Sequence, residues 1–147
     1  MTNILYLSDD PDEAVQWLMD VDIIRMPIEI AQVLSTVTKA KTTIAFAEGD
    51  VWSEWAVGNK SNYEELWNYG MDLLDEHYHR FGSRSVNKYK HGIAGLLERL
   101  STIPSHIPDG EMSDKPWTVE QSRLMYTQRG SFSTYTHRTV PQWKLAS

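Results

Sequence analysis

Residues 61–82, SNYEELWNYGMDLLDEHYHRFG, indicate the fold class more clearly than any other stretch of the chain. Apolar residues recur in it at steps of three and four, which is the spacing of one face of an α-helix. These positions are Tyr63, Leu66, Trp67, Met71, Leu74, Tyr78 and Phe81. Ser61 and Glu64 match a capping box at the start of the helix, and Gly82 is a typical residue at a helix end. We therefore predict a helix from Ser61 to Gly82.

The N-terminal part of the chain is also predicted to be mostly helical. The apolar residues Ile4 to Leu7 indicate a short strand or an extended segment. Asp10 is a suitable N-cap for a helix that begins one residue later, and Glu13 completes a capping box with it. Pro27 interrupts the helical pattern that follows, because it has no N–H to donate and restricts the residue before it. Either one helix ends near Arg25 and another begins at Pro27, or one long helix is kinked there.

The remaining segments alternate between loops and helices. Residues 39–43 and 53–62 are predicted as loops, the latter with at most a single turn. A helix is expected over Val86–Leu100, and two prolines and a glycine indicate a loop over residues 101–115. Thr118 and Gln121 form a capping box for a last helix, and the tail is predicted to be extended. The chain is therefore predicted to be all-α or mainly α, one domain over residues 1–147 with four to five helices and a short N-terminal strand.

Composition excludes several classes of protein. A length of 147 residues suits a single core. Fourteen basic residues against 20 acidic ones give a net charge of −6, which disfavours proteins that coat DNA through diffuse positive charge. The chain contains no cysteine, which excludes disulfides, thiolate zinc sites and cysteine nucleophiles. Apolar runs are too short for a membrane span, and the acidic N-terminus does not resemble a secretory signal, so a cytoplasmic protein is expected.

Positive charge is concentrated in residues 79–91, HRFGSRSVNKYKH, where two predicted helices are joined. Cations near a helix C-terminus are ordinary partners of the helix dipole. The alternative is a phosphate clamp, in which Arg80 and Arg84 act as forked donors beside Lys88 and His91. A local basic patch on an acidic protein suits a small phosphorylated ligand better than a long duplex.

The six tryptophans and seven tyrosines are the most unusual feature of the composition. They either fill the core of a small helical protein or stack on a base, since every base has a π-face. Trp52, Trp55 and Trp117 lie in or beside predicted loops, where a core role is less automatic. We therefore take these three residues as candidates for ligand stacking.

Two acid–arginine pairs lie at helical spacing. Arg25 and Glu29 form either a salt bridge or a polar pocket beside Pro27, and Glu76 and Arg80 are predicted to form a surface pair. The five histidines show no metal-binding spacing, so neither a metal site nor a cofactor is predicted.

The segment 20–35, DVDIIRMPIEIAQVLS, resembles a family of small bacteriophage proteins that have no assigned activity. That family has an acid-Lys-His run, two aliphatic residues, Lys-Met, and then Glu and Ala-Gln-x-Leu-Ser, whereas this chain has Val21 and Asp22 at the Lys and His positions. The resemblance continues at Asn62-Tyr63, 76–82, Tyr126, Phe132 and 138–143. It implies a protein that acts in the cytoplasm of an infected bacterium.

A more distant similarity is to the phage pyrimidine-dimer DNA glycosylases of the endonuclease V type, which are also small and helical and begin Met-Thr. This resemblance implies a Schiff-base nucleophile at the α-amine of Thr2, exposed once Met1 is removed. It also implies an assisting carboxylate, for which Glu29 is the candidate.

Three functional hypotheses follow, and they leave open whether the protein is an enzyme. The first is a non-catalytic phage protein that binds a nucleotide-type ligand and sequesters a host defence signal. Its ligand-binding residues would be Arg25, Glu29, Trp52, Trp55, Arg80, Arg84, Lys88 and His91. The second is a base-excising DNA glycosylase/lyase that uses Thr2 and Glu29. The third is an inhibitor of a host protein, and a homo-oligomer is expected if aromatic helix faces remain uncovered.

Overall fold

The fold is described by a computed structural model for residues 4–38, 50–83, 92–129 and 134–145. These residues form helices and contain no strand, which confirms the predicted fold class. The described residues contain seven helices: α1 (Pro11–Gln16), α2 (Asp20–Thr38), α3 (Val51–Gly58), α4 (Lys60–Phe81), α5 (Ile93–Arg99), α6 (Val119–Thr127) and α7 (Gln142–Leu145). They exceed the four to five expected, because several are shorter than three turns.

The long helix α4 confirms the prediction made from its apolar spacing. Its N-cap is Asn59, whose side chain accepts the backbone N–H of Asn62, so the predicted cap at Ser61 is wrong. The Ser61 hydroxyl instead donates to the Gly110 carbonyl. At the other end Gly82 has a φ of 73°, in the left-handed region, and its N–H bonds to the Tyr78 carbonyl.

The helices α1 and α2 settle the alternatives at the two N-terminal prolines. Asp10 caps α1, as predicted, but Glu13 accepts the Ser8 hydroxyl rather than completing a capping box. The helix α2 runs through Pro27 without ending. Met26, Pro27 and Ile30 are buried, so the packing of this face compensates for the hydrogen bond that proline cannot donate.

Three predictions of local secondary structure are wrong. The predicted N-terminal strand is absent: residues 4–7 are buried without strand pairing, and the Tyr69 hydroxyl donates to the Leu5 carbonyl. Residues 53–62, predicted as a loop with at most a single turn, are helical except for Asn59 and belong to α3 and the start of α4. The helix α3 forms because the Asp50 carboxylate caps it and Trp52 and Trp55 are buried. The end of the predicted extended tail forms the short helix α7.

The second half of the chain is predicted more accurately. Thr118 and Gln121 form the expected reciprocal capping box at the start of α6, and residues 101–115 form a loop. The helix α5 covers the end of the predicted helix 86–100, whose first residues lie outside the described part of the chain, as does the loop predicted at 39–43.

The core lies where α2 and α4 pack against each other, with α3, α5 and α1 around them. Its largest fully buried side chains are aromatic: Trp52, Tyr63, Tyr69 and Tyr126. Among the described helices, none combines the length and the apolar character needed to cross a bilayer.

Candidate functional site

Arg80, the first member of the predicted phosphate clamp, is buried inside the protein. Only 2% of the residue is exposed. Its Nε donates to Glu76 at 2.8 Å and its Nη1 to Asp20 at 3.1 Å. Its Nη2 donates to two backbone carbonyls, of Val15 and Gln16. The predicted surface pair of Glu76 and Arg80 is therefore wrong, because α1 and the start of α2 cover this end of α4.

The same buried ion pairs hold the C-terminal segment in place. Arg138 donates to both carboxylate oxygens of Glu76, and the backbone N–H and hydroxyl of Thr136 donate to Asp20. Burial alone would raise the pKa of both carboxyls, but these hydrogen bonds and those from Arg80 outweigh it and lower each pKa. Arg80 is thus a structural residue whose guanidinium does not face a ligand.

Of the other predicted clamp residues, Arg84, Lys88 and His91 lie outside the described residues. Their role remains a prediction.

The two candidate stacking residues of α3 belong to the core. Trp52 is fully buried, with its ring centroid 6.0 Å from that of Tyr6 and 5.6 Å from that of Trp55. Trp55 is 8% exposed, and its Nε1 donates to the Ser113 carbonyl. Neither indole presents an open face on which a base could stack, which favours the core interpretation of these two residues.

Arg25 and Glu29 form the salt bridge that their spacing predicts. The guanidinium contacts Glu29 and Asp22, each at 2.7 Å. Burial alone would lower the pKa of Arg25, but the hydrogen bond that it donates to Asp22 and the charges of both carboxylates raise it. Thr2, the nucleophile implied by the glycosylase resemblance, lies outside the described residues, so its pairing with Glu29 stays a prediction.

A groove of about 800 Å³ lies elsewhere, between the N-terminal segment, the loop before α6 and the first turns of α6. Trp117, the third candidate for stacking, lines it and is partly exposed. Two cations, Lys115 and Arg123, line it as well. This groove is larger than the two clefts described below, and it combines aromatic and cationic side chains.

Arg123 makes three contacts at this groove. Its Cζ lies 5.1 Å from the ring centroid of Trp17 and 5.2 Å from that of Trp143, and its Nε donates to the Leu7 carbonyl at 2.8 Å. Within the described residues, neither Nη nitrogen has a hydrogen-bond partner. The geometry leaves a fixed, forked donor, which is the group best suited to a phosphate or a carboxylate.

Lys115 is the second cation of the groove. Its Nζ lies 4.6 Å from the ring centroid of Tyr6 and 3.9 Å from a carboxylate oxygen of Glu65. Burial raises the pKa of Glu65, and the charge of Lys115 opposes that rise. Because the contact with Glu65 is long, the ammonium can still attract an anion in the groove.

The groove also contains polar groups without partners. The Tyr6 hydroxyl and the Trp117 Nε1 are buried and have no hydrogen-bond partner among the described residues. Three exposed carboxylates, of Asp9, Asp114 and Glu120, line the groove, and none has a partner among the described residues. The lining therefore carries both signs of charge.

Two smaller clefts, of about 230 and 270 Å³, lie on either side of Arg138. Asp72 lines the larger one, where burial, followed by the charges of Asp12 and Asp75, raises its pKa to about 6. Within the described ranges, no three acid or histidine side chains are grouped closely enough to bind a metal ion.

Sequence reasoning identified Trp117 but missed Lys115 and Arg123. These two residues are eight positions apart, in a loop and a helix, and no motif joins them. Within this part of the sequence, Trp117 was the only indication of a site. Arg123 could not be recognised from its neighbours in sequence, since its partners come from the two ends of the chain.

Comparisons of the chain with protein-family models, curated proteins and solved structures found no match.

Proposed function

We propose that the protein binds a small ligand in which an aromatic ring is joined to an anionic group, as in a nucleotide, within the groove beside α6. One observation carries the proposal: the Arg123 guanidinium lies against two indole rings and its Nε is bonded to the Leu7 carbonyl, while both of its Nη nitrogens have no partner among the described residues. An arginine that is ordered before binding loses little side-chain entropy when it takes up an anion.

The rest of the groove supplies what a nucleotide would need. Trp117 offers an aromatic surface on which a base stacks, and such stacking tolerates different bases. Lys115 adds a second positive charge. This proposal keeps the ligand class predicted from the sequence but assigns it to a different site from the basic segment 79–91.

The sequence resembles a family of small phage proteins, and in an infected bacterium such binding would sequester a host signal. That part of the proposal rests on the resemblance alone.

Calorimetric titration with AMP, GMP, CMP and UMP tests the proposal, with adenosine and inorganic phosphate as partial ligands. We expect at least one monophosphate to bind more tightly than either part alone. Arg123→Gln removes a charge-assisted hydrogen bond and should weaken binding about tenfold or more. Arg99→Gln is the matched control, since Arg99 is exposed and does not line the groove.

Heating the complex and analysing the released nucleotide distinguishes binding from catalysis, because an enzyme would return an altered ligand. The proposal is wrong if none of the four nucleotides binds, or if Arg123→Gln binds them as the unmodified protein does.

A further inference from the structure

We infer that the groove selects a nucleotide with a single phosphate and disfavours the corresponding triphosphate. This rests on the proposed function and adds a specificity determinant to it, namely the three carboxylates of Asp9, Asp114 and Glu120, called here the acidic rim.

The cations of the groove suffice for one phosphate group. Arg123 presents one fork of two nitrogens, because its Nε is bonded to the Leu7 carbonyl. Lys115 shares its charge with Glu65 at 3.9 Å. In the described part of the chain, no further cation lines the groove. A second or third phosphate would therefore lie beyond the reach of these two donors, unless a metal ion accompanied it.

The acidic rim acts against additional phosphates. Its three carboxylates are exposed, and none has an ion-pair or hydrogen-bond partner within the described ranges. With Lys115 and Arg123 they give the groove lining two positive and three negative charges. A triphosphate brings about two more negative charges than a monophosphate, and each added charge about 10 Å from a carboxylate weakens binding about twofold in water.

The same carboxylates suit the remainder of a nucleotide. Each one accepts hydrogen bonds but donates none when ionised. Ribose hydroxyls and the exocyclic amine of a base are donors that satisfy them. A ligand with one phosphate and several neutral donors therefore suits both the cations and the carboxylates of the lining.

The test compares AMP, ADP and ATP, without divalent metal and at low ionic strength, on three proteins. They are the unmodified chain, a rim variant carrying Asp9→Asn, Asp114→Asn and Glu120→Gln, and a control carrying Glu54→Gln, Glu64→Gln and Glu98→Gln. The control changes the net charge equally at exposed carboxylates that do not line the groove. A thermal unfolding scan shows that each variant is folded.

We expect the unmodified chain to bind AMP more tightly than ADP, and ADP more tightly than ATP. The rim variant should narrow the ratio of AMP to ATP affinity by about tenfold or more, since each of three neutralised carboxylates interacts with two added charges. A salt concentration of 1 M should reduce that effect, because exposed charges are screened. The control should leave the ratio as it is in the unmodified chain.

The outcomes separate the two proposals. If no nucleotide binds, the proposed function is wrong. If nucleotides bind but ATP is preferred, or if the rim variant and the control change the ratio equally, the acidic rim is not the determinant while the proposed function stands. Should the triple rim variant fail to fold, Asp114→Asn alone, in the loop before α6, gives the same comparison with a smaller expected change.

Discussion

At the scale of single residues, three carboxyls near the end of α4 show how position alone determines ionisation. Asp20 and Glu76 each accept hydrogen bonds from arginine, and the pKa of both is lowered. Asp72 lies one turn before Glu76 on α4 but has other carboxylates as its charged neighbours, and its pKa is raised to about 6. Asp20 and Glu76 stabilise the fold above the pKa of an unfolded carboxyl, and this contribution is lost as the pH falls. The ionisation of Asp72 instead lowers the stability of the fold as the pH rises.

Asp72→Asn is therefore expected to stabilise the protein at neutral pH. The folded state holds the Asp72 proton up to a pKa of about 6, against 3.8 for the reference carboxyl, so stability is lost as the pH rises between these values. Allowing for solvent screening, the gain in unfolding free energy at pH 7 should be about 1 kcal/mol. Urea unfolding at pH 4 and pH 7 measures it: the gain should disappear near pH 4. An equal gain at both pH values, or the same gain from Asp114→Asn at an exposed carboxyl, would contradict the assignment.

At the scale of elements, local signals explain which helices the sequence predicts. The helix α4 has a regular apolar face and ends at Gly82, and α6 begins with a capping box, so both are identified from residues at most four positions apart. The helix α3 has eight residues, of which Trp52, Ser53, Trp55 and Ala56 are buried. Trp52, Trp55 and Ala56 lie at helical spacing, but Gly58 and Asn59 follow them closely, and the segment was therefore predicted as a loop.

Replacing each of two glycines by alanine should change stability in opposite directions. Gly82 has a φ of 73°, where a side chain is strained even though no atom lies within 4 Å of an added Cβ. Gly82→Ala should therefore cost about 1 kcal/mol. Gly95 lies inside α5, and an added Cβ would meet only the end of Arg99, at 3.7 Å. Gly95→Ala should stabilise by about 0.5 kcal/mol, because it restricts the unfolded chain.

Thermal and urea unfolding of the two alanine variants measure both effects. A stabilising Gly82→Ala would show that the end of α4 does not require the left-handed conformation.

At the scale of the whole molecule, Arg80 joins parts of the chain that are far apart in sequence. It contacts the end of α1, the start of α2 and Glu76 of α4, and its two acidic partners also bind Thr136 and Arg138 of the C-terminal segment. That segment leads into α7, whose Trp143 lies against Arg123. The buried ion pairs therefore support one side of the proposed binding groove.

Arg80→Gln is expected to destabilise the protein by about 3 kcal/mol, because it leaves two carboxylates buried without their shared cation. Urea unfolding measures the loss, with Arg99→Gln, an exposed arginine, as the control that should change stability little. A stable Arg80→Gln protein that has lost only nucleotide affinity would instead restore Arg80 to the role of a phosphate clamp.

The sequence by itself determined the helical class, the extent of α4, and the caps at Asp10 and Thr118, because each depends on residues within one or two turns of a helix. Only the tertiary structure decided which arginine is buried and which has a free fork. The partner of Arg80 on α2 is 60 positions away and the backbone partner of Arg123 is 116 positions away. Contacts at such separations form only when helices pack. For this reason Arg80, which lies in a basic segment of the sequence, is buried in the core, whereas Arg123, which belongs to no motif, lines the groove.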